Sequence, residues 1–333
     1  ITLTGDHPLP VVNKGRTYVD DLEIGDQIKV ANVANSSGNI LSTNYFGNSL
    51  ESAWLLGILI TDSSYANNIC ISLALDEQDI IAKINSTVEK LGATTRIVEQ
   101  HRGQKGDYYD VFINNLQSLK DARIELNELF GGKKKIYRRL TTKLLSLNKE
   151  YREALLAGLI DGDGHVTTSS SHDGNDRRSA RFSIGSTNKA LALTELYLIR
   201  SLGIRAKLIR NKYSSNHNKI RYIIEFEIIQ GVINNMACNK KIQIANSVDN
   251  CKFSDTDTIK VVSISNNAEE NEINDISYDV ETKTDRFDVS FIQSHNCRTR
   301  VATNIYDPDK TVIPGRGNLS FTSINLPRLG IKA

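Results

Sequence analysis

The sequence has little that would connect it with a membrane or with export. Its 333 residues include one Met, one Trp and five Pro. No run of about 18 apolar residues is present, which excludes a transmembrane helix. Residues 1–7 lack the basic and apolar stretches of a secretory signal peptide. We therefore expect a cytoplasmic protein with no membrane partner. Because the chain starts without Met in a strand-like segment, we also expect that it was cut from a longer one.

Cysteine is also sparse. The four cysteines, Cys70, Cys238, Cys251 and Cys297, are widely separated and form no Cys-x-x-Cys pair. This spacing excludes a dense disulfide framework and a typical zinc site, and it fits a reducing compartment. We expect the first three to pack as small apolar residues. Cys297 has a different context, described below.

The charge is nearly balanced, at +2, so net charge gives no indication of a nucleic-acid partner. A hydrophobic content of 39% and a charged content of 24% are typical of a globular protein. Basic residues nevertheless cluster locally, and such clusters are either phosphate contacts or an ordinary solvated surface. The clusters are Lys133, Lys134, Lys135, Arg138, Arg139 and Lys143; Arg177, Arg178 and Arg181; and Arg205, Lys207, Arg210 and Lys212.

The middle of the chain contains an internal duplication. One copy opens on an apolar helical pattern ending at Asp62, and the second opens on a similar pattern ending at Asp163. In each copy strand-like segments surround a second helical segment, which ends in Leu-Gly at Gly92 and Gly203, where glycine can cap a helix. The copies, about residues 50–140 and 150–245, predict a pseudo-twofold domain over residues 46–250.

Segments with β-type composition flank this duplicated region on both sides. Residues 1–45 predict short strands with a turn at Gly25-Asp26, and residues 34–49 resemble a linker. Strand-like runs return over residues 251–296. This layout predicts an α+β chain in which one β domain is split by an inserted domain. Residues 297–333 differ again, and glycines and a proline break them into irregular structure.

Ser294-His295-Asn296-Cys297 carries the most specific chemistry of the second β segment. The amide of Asn296 can attack its own backbone carbonyl, forming a succinimide and cleaving the bond that follows. His295 can donate a proton to the leaving amine, and Cys297 can accept an acyl group as a thioester. A chance tripeptide in a turn is the alternative when these residues are considered alone.

Four segments together resemble inteins, the protein-splicing members of the Hint superfamily. The matching residues are Thr4 and His7; Leu22, Gly25 and Asp26; Tyr278, Asp279 and Phe287; and His295, Asn296 and Cys297. The resemblance covers both flanks of the duplicated region. It implies an all-β Hint splicing module in two parts, residues 1–45 and 251–296.

The resemblance to inteins also implies catalytic roles. Thr4 and His7 would activate the upstream splice junction, and Asp279 would assist thioester transfer. His295 would promote the cyclisation of Asn296. Splicing of this kind needs no cofactor.

Two departures from the intein pattern bear on these roles. Inteins begin with a nucleophilic Cys or Ser well before the T-x-x-H segment, and this chain starts three residues before Thr4. A separate N-terminal intein segment would therefore be needed as a partner for complete splicing. The second departure is Asp285-Arg286, which stands where many inteins have a His.

Residues 155–164 read Leu-Leu-Ala-Gly-Leu-Ile-Asp-Gly-Asp-Gly and resemble the motif of LAGLIDADG homing endonucleases. The resemblance implies an αββαββα fold and a monomer that cleaves a long, asymmetric double-stranded DNA site. Small residues such as Ala157 and Gly158 let two helices approach closely. Asp62 and Asp163 would then lie side by side and hold Mg²⁺ near the scissile phosphates. A calcium loop, the alternative at residues 161–164, would need further oxygen ligands.

DNA contacts in this family come from the strands that follow each motif. A basic residue near the second helix, either Arg139 or Lys143, would support catalysis. Ordinary surface charge is the alternative for each proposed contact. The proposed DNA-binding residues are Arg181, Arg205, Lys207 and Arg221.

Residues 297–333 resemble anaerobic ribonucleoside-triphosphate reductases, on the segments Cys-Arg-Thr-Arg and Gly-Arg-Gly-Asn-Leu-Ser-Phe. In that family the cysteine in this context carries the radical, so Cys297 would serve first in splicing and afterwards in the host enzyme. The main hypothesis is a splicing element with an embedded Mg²⁺-dependent endonuclease. The alternatives are a LAGLIDADG DNA-binding module with degenerate nuclease activity and a plain reductase fragment.

Overall fold

The computed structural model describes residues 7–29, 38–101, 106–170, 178–212, 220–247, 249–250, 258–261, 286–289 and 292–295. These residues fall into two compact units, which are described separately. The first unit contains described residues up to 29 and from 260 onward, and the second contains those between. No described helix is long and apolar enough to cross a membrane.

The helices and strands are numbered along the chain. The strands are β1 (Pro8–Val11), β2 (Gly15–Tyr18), β3 (Gln27–Lys29), β4 (Ser63–Ser64), β5 (Ile69–Ala74), β6 (Thr94–Gln100), β7 (Tyr108–Asn114), β8 (Gly164–Ser170), β9 (Arg178–Ser186), β10 (Ala206–Lys212), β11 (Ile220–Phe226), β12 (Asp249–Asn250), β13 (Thr258–Lys260), β14 (Arg286–Val289) and β15 (Ile292–His295). The helices are α1 (Leu50–Asp62), α2 (Gln78–Lys90), α3 (Leu119–Phe130), α4 (Thr142–Leu145), α5 (Lys149–Asp163), α6 (Lys189–Ser201), α7 (Gln230–Ile233) and α8 (Asn239–Asn246).

The first unit combines strands from both ends of the chain. Its sheet has the order β13-β3-β1-β2, and β14 pairs with β15 in an antiparallel hairpin. The Gly25 amide donates to the Val261 carbonyl and the Val261 amide donates to the Asp26 carbonyl, each at 2.8 Å. Leu9 and Val11 are buried in this sheet. The predicted turn lies at Gly25, whose φ of 107° favours glycine.

The second unit contains two copies of the element order αββαββα. The first copy runs from α1 to α3 and the second from α5 to α7. The two sheets have the same strand order, β4-β5-β7-β6 and β8-β9-β11-β10, and β12 adds to β9. The predicted α+β class is therefore confirmed, and the duplication seen in the sequence repeats at the level of sheet topology.

Helices α1 and α5 form the centre of the second unit. Side chains from Ser52 to Thr61 are buried without interruption, which suits a helix enclosed on all sides. Hydroxyl and amide side chains cap the two N-termini: Ser49 accepts a hydrogen bond from the Ser52 amide, and Asn148 accepts one from the Tyr151 amide. The two helices therefore begin at defined positions and run together.

The segment before α1 differs from the predicted linker. Over the described residues 38–49, Leu41 and Phe46 are buried, with exposed fractions of 2% and 0%. The Glu125 carboxylate accepts hydrogen bonds from the amides of Asn44 and Tyr45, at 2.7 and 3.0 Å. These hydrogen bonds attach the segment to α3, and its two large apolar side chains form part of the core.

Candidate metal centre and DNA-contacting faces

The two predicted metal ligands lie at adjoining helix ends. Asp62 is the last residue of α1, and Asp163 is the last residue of α5. A Cβ on Gly162 would lie 2.6 Å from Oδ2 of Asp62 and 3.2 Å from Cβ of Thr61. The missing side chain at Gly162 is thus what allows the Asp62 carboxylate to sit against the end of α5.

Electrostatics at this junction favour a cation. Burial, followed by repulsion from Asp163, raises the pKa of Asp62 to about 7. Lys135 and a hydrogen bond from the Thr61 hydroxyl act in the opposite direction and lower that pKa. Two carboxylates at the negative ends of two helix dipoles form a strongly anionic site. The donor set therefore fits Mg²⁺, which prefers carboxylate oxygens and retains several waters.

Asp161 does not belong to this anionic site, although it lies two residues before Asp163. It is fully buried, and burial raises its pKa. Its Oδ2 accepts hydrogen bonds from Trp54 Nε1 at 2.8 Å and from the Ala237 amide at 2.6 Å, and its Oδ1 accepts one from the Cys238 amide. Because three donors occupy this carboxylate inside the core, it joins helices rather than forming part of a calcium loop.

Three cations lie at the helix ends, and none of them was predicted to have a role there. Lys135 acts electrostatically on Asp62 and is itself exposed. Arg138 is 2% exposed and donates to the Leu59, Ile60 and Ser63 carbonyls. Lys241 donates to the last turn of α5. Neither alternative predicted for the 133–143 basic cluster, a phosphate contact or a solvated surface, describes the buried Arg138, since hydropathy cannot identify a buried arginine.

The two basic residues proposed as catalytic helpers have other contacts. Lys143 forms an exposed ion pair with Glu128 at 3.2 Å. The Arg139 side chain lies against Gly131, where a Cβ would be 3.2 Å from its Nε. Within this cluster, Lys135 and Arg138 are the cations that interact electrostatically with Asp62. The assignment of a catalytic role to Arg139 or Lys143 stays a prediction.

Glu195 is a further acidic residue close enough to influence the site. It lies on α6, is 1% exposed, and its Oε2 has no hydrogen-bond partner in the described structure. Burial, followed by the charge of Asp163, raises its pKa to about 8. Glu195 is therefore held in its neutral form near neutral pH.

The second sheet has one face toward the core and one open face. Alternate residues of β9 and β11 are buried, at Phe182, Ile184, Ile224 and Phe226, and the residues between them point to the open face. Register places Arg181, Lys207 and Arg221 on this open face, and Arg205 directly precedes β10. Three of the four predicted DNA-binding residues thus share one surface.

Two of these arginines already have close neighbours. Arg181 forms an ion pair with Glu225, with 3.2 Å between Nε and Oε1. The Arg221 guanidinium lies over Gly185, where a Cβ would be 2.7 Å from Nη2. Lys207 is exposed and stands opposite Glu225 in the β10–β11 register. On the open face, the negative charge of Glu225 therefore lies between the positive charges of Arg181 and Lys207.

The equivalent surface of the first copy carries Arg96, which was not among the predicted DNA-binding residues. Arg96 lies opposite Phe112 in the β6–β7 register, and its guanidinium lies 4.6 Å from the centre of the Phe112 ring. Arg96 follows the capping Gly92 by four residues, as Lys207 follows Gly203. The duplication itself, extended residue by residue, would have indicated Arg96.

Of the six residues with a predicted role in splicing, the structure describes the two histidines. His7 immediately precedes β1, and its carbonyl accepts a hydrogen bond from the Val19 amide at 3.0 Å. His295 is the last residue of β15, opposite Arg286. Strand β15 lies beside β1 and β3 in the first unit. Thr4, Asp279, Asn296 and Cys297 lie outside the described residues.

A separate group of potential metal ligands occurs at the mouth of the β6–β7 hairpin. Glu99, His101 and Asp107 are all exposed, and their ligand atoms lie within 4.8 Å of one another. His101 Nδ1 and Asp107 Oδ2 are 3.1 Å apart, and this pairing raises the pKa of His101. An exposed ion pair accounts for this group. Of the remaining cysteines, Cys238 is buried and Cys70 is partly buried, while Cys251 lies outside the described residues.

Several known proteins are similar to part of this chain. A curated relative, the ATP-dependent DNA helicase Hel308 of Thermococcus kodakarensis, is 28% identical over 181 residues. The match covers 53% of this chain, which spans only 15% of the helicase. Variants of the homing endonuclease I-DmoI are similar in structure at 15% identity, covering 60% of this chain and 94% of theirs, with a TM-score of 0.36.

Two further solved structures give similar values. I-DmoI in complex with DNA and Ca is 16% identical, covers 56% of this chain and 88% of its own, and has a TM-score of 0.36. The N-terminal LAGLIDADG domain of DUF199/WhiA is 16% identical, with 64% and 88% covered and a TM-score of 0.33. All three TM-scores lie below 0.5. Residues 140–250, which contain α5 and the second copy, match the family model described as homing endonuclease.

Proposed function

We propose that the second unit is a site-specific endonuclease that cuts double-stranded DNA as a monomer with Mg²⁺. The observation that carries the proposal is the meeting of Asp62 and Asp163 at adjoining helix ends, where one carboxylate raises the pKa of the other. The family-model match over residues 140–250 and the basic open face of the second sheet support the same function.

Each group has a defined task in this proposal. Asp62 and Asp163 would hold Mg²⁺, which when bound supplies Lewis-acid stabilisation of charge on the phosphate. Lys135 would add positive charge beside the scissile phosphate. Lys207 and Arg221 on the open face, with Arg96 on the first sheet, would bind the DNA backbone and the base edges. The two αββαββα copies would each contact one half of a long site.

A DNA-binding module without nuclease activity is the second candidate, because the first motif has Ser63 where LAGLIDADG motifs have Gly. Incubation with Mg²⁺ and a duplex carrying the uninterrupted host sequence separates the two. A double-strand break at one position supports the endonuclease. A retained gel shift without any break, over a range of Mg²⁺ concentrations, supports the binder.

We also propose that the first unit is the Hint splicing module of an intein in an anaerobic ribonucleoside-triphosphate reductase. The pairing of strands from both chain ends supports this, as does the position of His295 on β15, beside β1. Asn296 would cyclise, and Cys297 would be the nucleophile that later serves the host. The plain reductase fragment is disfavoured, because 296 residues precede Cys297.

Mass spectrometry of the purified chain tests this second proposal. Cleavage after Asn296 releases a peptide of 37 residues, from Cys297 to Ala333. The Asn296→Ala variant should release none, and the Asn266→Ala variant is the control for loss of an asparagine elsewhere. Complete splicing should require an added N-terminal intein segment. A peptide released equally by Asn296→Ala would contradict the cyclisation chemistry.

A further inference from the structure

Two buried or partly buried cations occupy equivalent places at the ends of α1 and α5. Arg138 Nη1 donates to the carbonyls of Leu59 and Ile60, at 3.3 and 3.0 Å. Lys241 Nζ donates to the carbonyls of Ile160 and Asp161, each at 2.7 Å. In both helices these carbonyls lie three and two residues before the acidic end residue. Each copy of the duplication thus has a cation bonded to the equivalent pair of carbonyls.

The chemical types of the two cations differ, which makes the shared position informative. Arg138 follows α3, and Lys241 lies in α8, so different elements carry them. Arg138 also donates to the Ser63 carbonyl at 2.9 Å and lies over the Tyr65 ring at 4.5 Å. A guanidinium in one copy and an ammonium in the other therefore perform the same task.

That task follows from charge. The Gly164 amide also donates to the Ile160 carbonyl and the Ser63 hydroxyl to the Leu59 carbonyl, so what the cations add is positive charge. The last carbonyls of a helix carry the negative end of its dipole. Here two such ends converge, and each adds an aspartate at its last position. Without a counter-charge the helix ends would repel each other and any carboxylate held there. A cation bonded to the carbonyls offsets the dipole without itself occupying the side-chain oxygens of the terminal aspartate.

We propose that Arg138 and Lys241 are matched positioning residues that fix the ends of α1 and α5, so that Asp62 and Asp163 can bind a divalent cation. This inference rests on the proposed metal centre and extends it to two residues outside both motifs. Neither cation is a metal ligand or a phosphate contact in this account. Each acts through the backbone of the helix whose end it binds.

The chain provides a matched control for each residue. Arg152 is also 2% exposed and also donates to a backbone carbonyl, that of Ser201 at 2.9 Å, but it lies in the first turn of α5. Lys240 is adjacent to Lys241 in sequence, with a side chain that is 78% exposed and 3.9 Å from Asp76. Loss of either control side chain should leave the acidic helix ends in place.

The test is Mn²⁺ binding to the full chain, followed by electron paramagnetic resonance, with cleavage measured in parallel. Arg138→Met and Lys241→Met should each raise the dissociation constant for Mn²⁺ about tenfold to a hundredfold, as loss of an outer partner of a metal site does. Arg138→Lys, which retains the charge, should recover part of the affinity. Arg152→Met and Lys240→Met should bind Mn²⁺ as the unchanged chain does.

The outcomes separate this inference from the proposed function. If the chain binds Mn²⁺ and the two variants lose affinity while no DNA is cut, the positioning role stands and the nuclease function falls. If DNA is cut and folded Lys241→Met binds Mn²⁺ normally, the positioning role falls and the nuclease function stands. If Arg138→Met does not fold, Arg138→Lys and Lys241→Met decide. A chain that binds no Mn²⁺ would overturn both.

Discussion

Gly57 and Gly158 meet backbone to backbone where α1 and α5 cross. A Cβ on Gly57 would lie 2.8 Å from the Gly158 Cα, and a Cβ on Gly158 would lie 3.0 Å from the Gly57 Cα. A Cβ on Gly158 would also overlap the Trp54 carbonyl. This contact sets the separation of the two helices, and therefore the separation of the aspartates at their ends.

The Gly158→Ala substitution should separate the helices, because the backbone of Trp54 cannot move aside as a side chain can. We expect a loss of about 1 to 3 kcal/mol in the free energy of unfolding, the range for overpacked cores. Urea denaturation followed by circular dichroism measures it. Ala82→Ser adds one atom at an exposed position of α2 and should stay within about 0.5 kcal/mol. Equal stability of Gly158→Ala and Ala82→Ser would contradict the close crossing.

Asp62→Asn should stabilise the protein at neutral and alkaline pH. The folded chain raises the pKa of Asp62 from 3.8 to about 7, so between these values the folded state binds more protons than the unfolded state. Stability from this group is therefore present at low pH and is lost as pH rises toward 7. The Asn side chain does not titrate, so the variant keeps this stability. Its free energy of unfolding should exceed that of the unchanged chain by a few kcal/mol at about pH 8. Denaturation without divalent cations at pH 5, 7 and 8 measures it.

Glu195→Gln should also stabilise the protein relative to the unchanged chain, and this gain in the free energy of unfolding should extend over a wider pH range. The pKa of Glu195 rises from 4.5 to about 8, chiefly because the side chain is buried. The unchanged chain should keep losing stability relative to the variant until about pH 8, beyond the point where Asp62 has finished titrating. The exposed Glu128→Gln is the control for loss of a carboxylate. A constant difference between pH 5 and pH 9 would contradict a raised pKa for Glu195, because it would mean that the side chain is already ionised in the folded state at pH 5.

Lys207→Gln should weaken DNA binding through loss of a phosphate contact. Removing one contact lowers the slope of log K against log salt by about one. Arg96→Gln tests the equivalent position of the first copy and should lower the slope by a similar amount. Lys90→Gln, at the end of α2 and paired with Glu51, should leave the slope unchanged. Fluorescence anisotropy across a salt series measures the slope for all three variants. Equal slopes for every variant would contradict DNA contacts at Lys207 and Arg96.

Much of the second unit could be predicted from the sequence. The apolar helical patterns ending at Asp62 and Asp163 gave α1 and α5, since long periodic segments with acidic ends leave few alternatives. Gly92 and Gly203 do adopt positive φ, at 71° and 76°, after the helices they cap. The duplication predicted a pseudo-twofold domain, and the identical strand order of the two sheets agrees with it.

The remaining features depend on contacts between residues far apart in the chain. Arg138 appears in the sequence as one of several basic residues, and only its position against the end of α1 makes it a buried positioning group. Asp161 and Asp163 look alike in the motif, yet one faces Trp54 in the core and the other lies at the helix end. No local pattern distinguishes such pairs, because burial is decided by the partner element.

The most direct test of the central claim is single-turnover cleavage of the uninterrupted host duplex in Mg²⁺, comparing the unchanged chain with Asp62→Asn and Asp163→Asn. If the two aspartates hold the metal, the unchanged chain should cut both strands, and each variant should bind the duplex but lose cleavage by about a hundredfold or more, the loss of roughly 2.7 kcal/mol of transition-state stabilisation. Cleavage at the same rate by both folded variants would contradict a metal centre at the ends of α1 and α5.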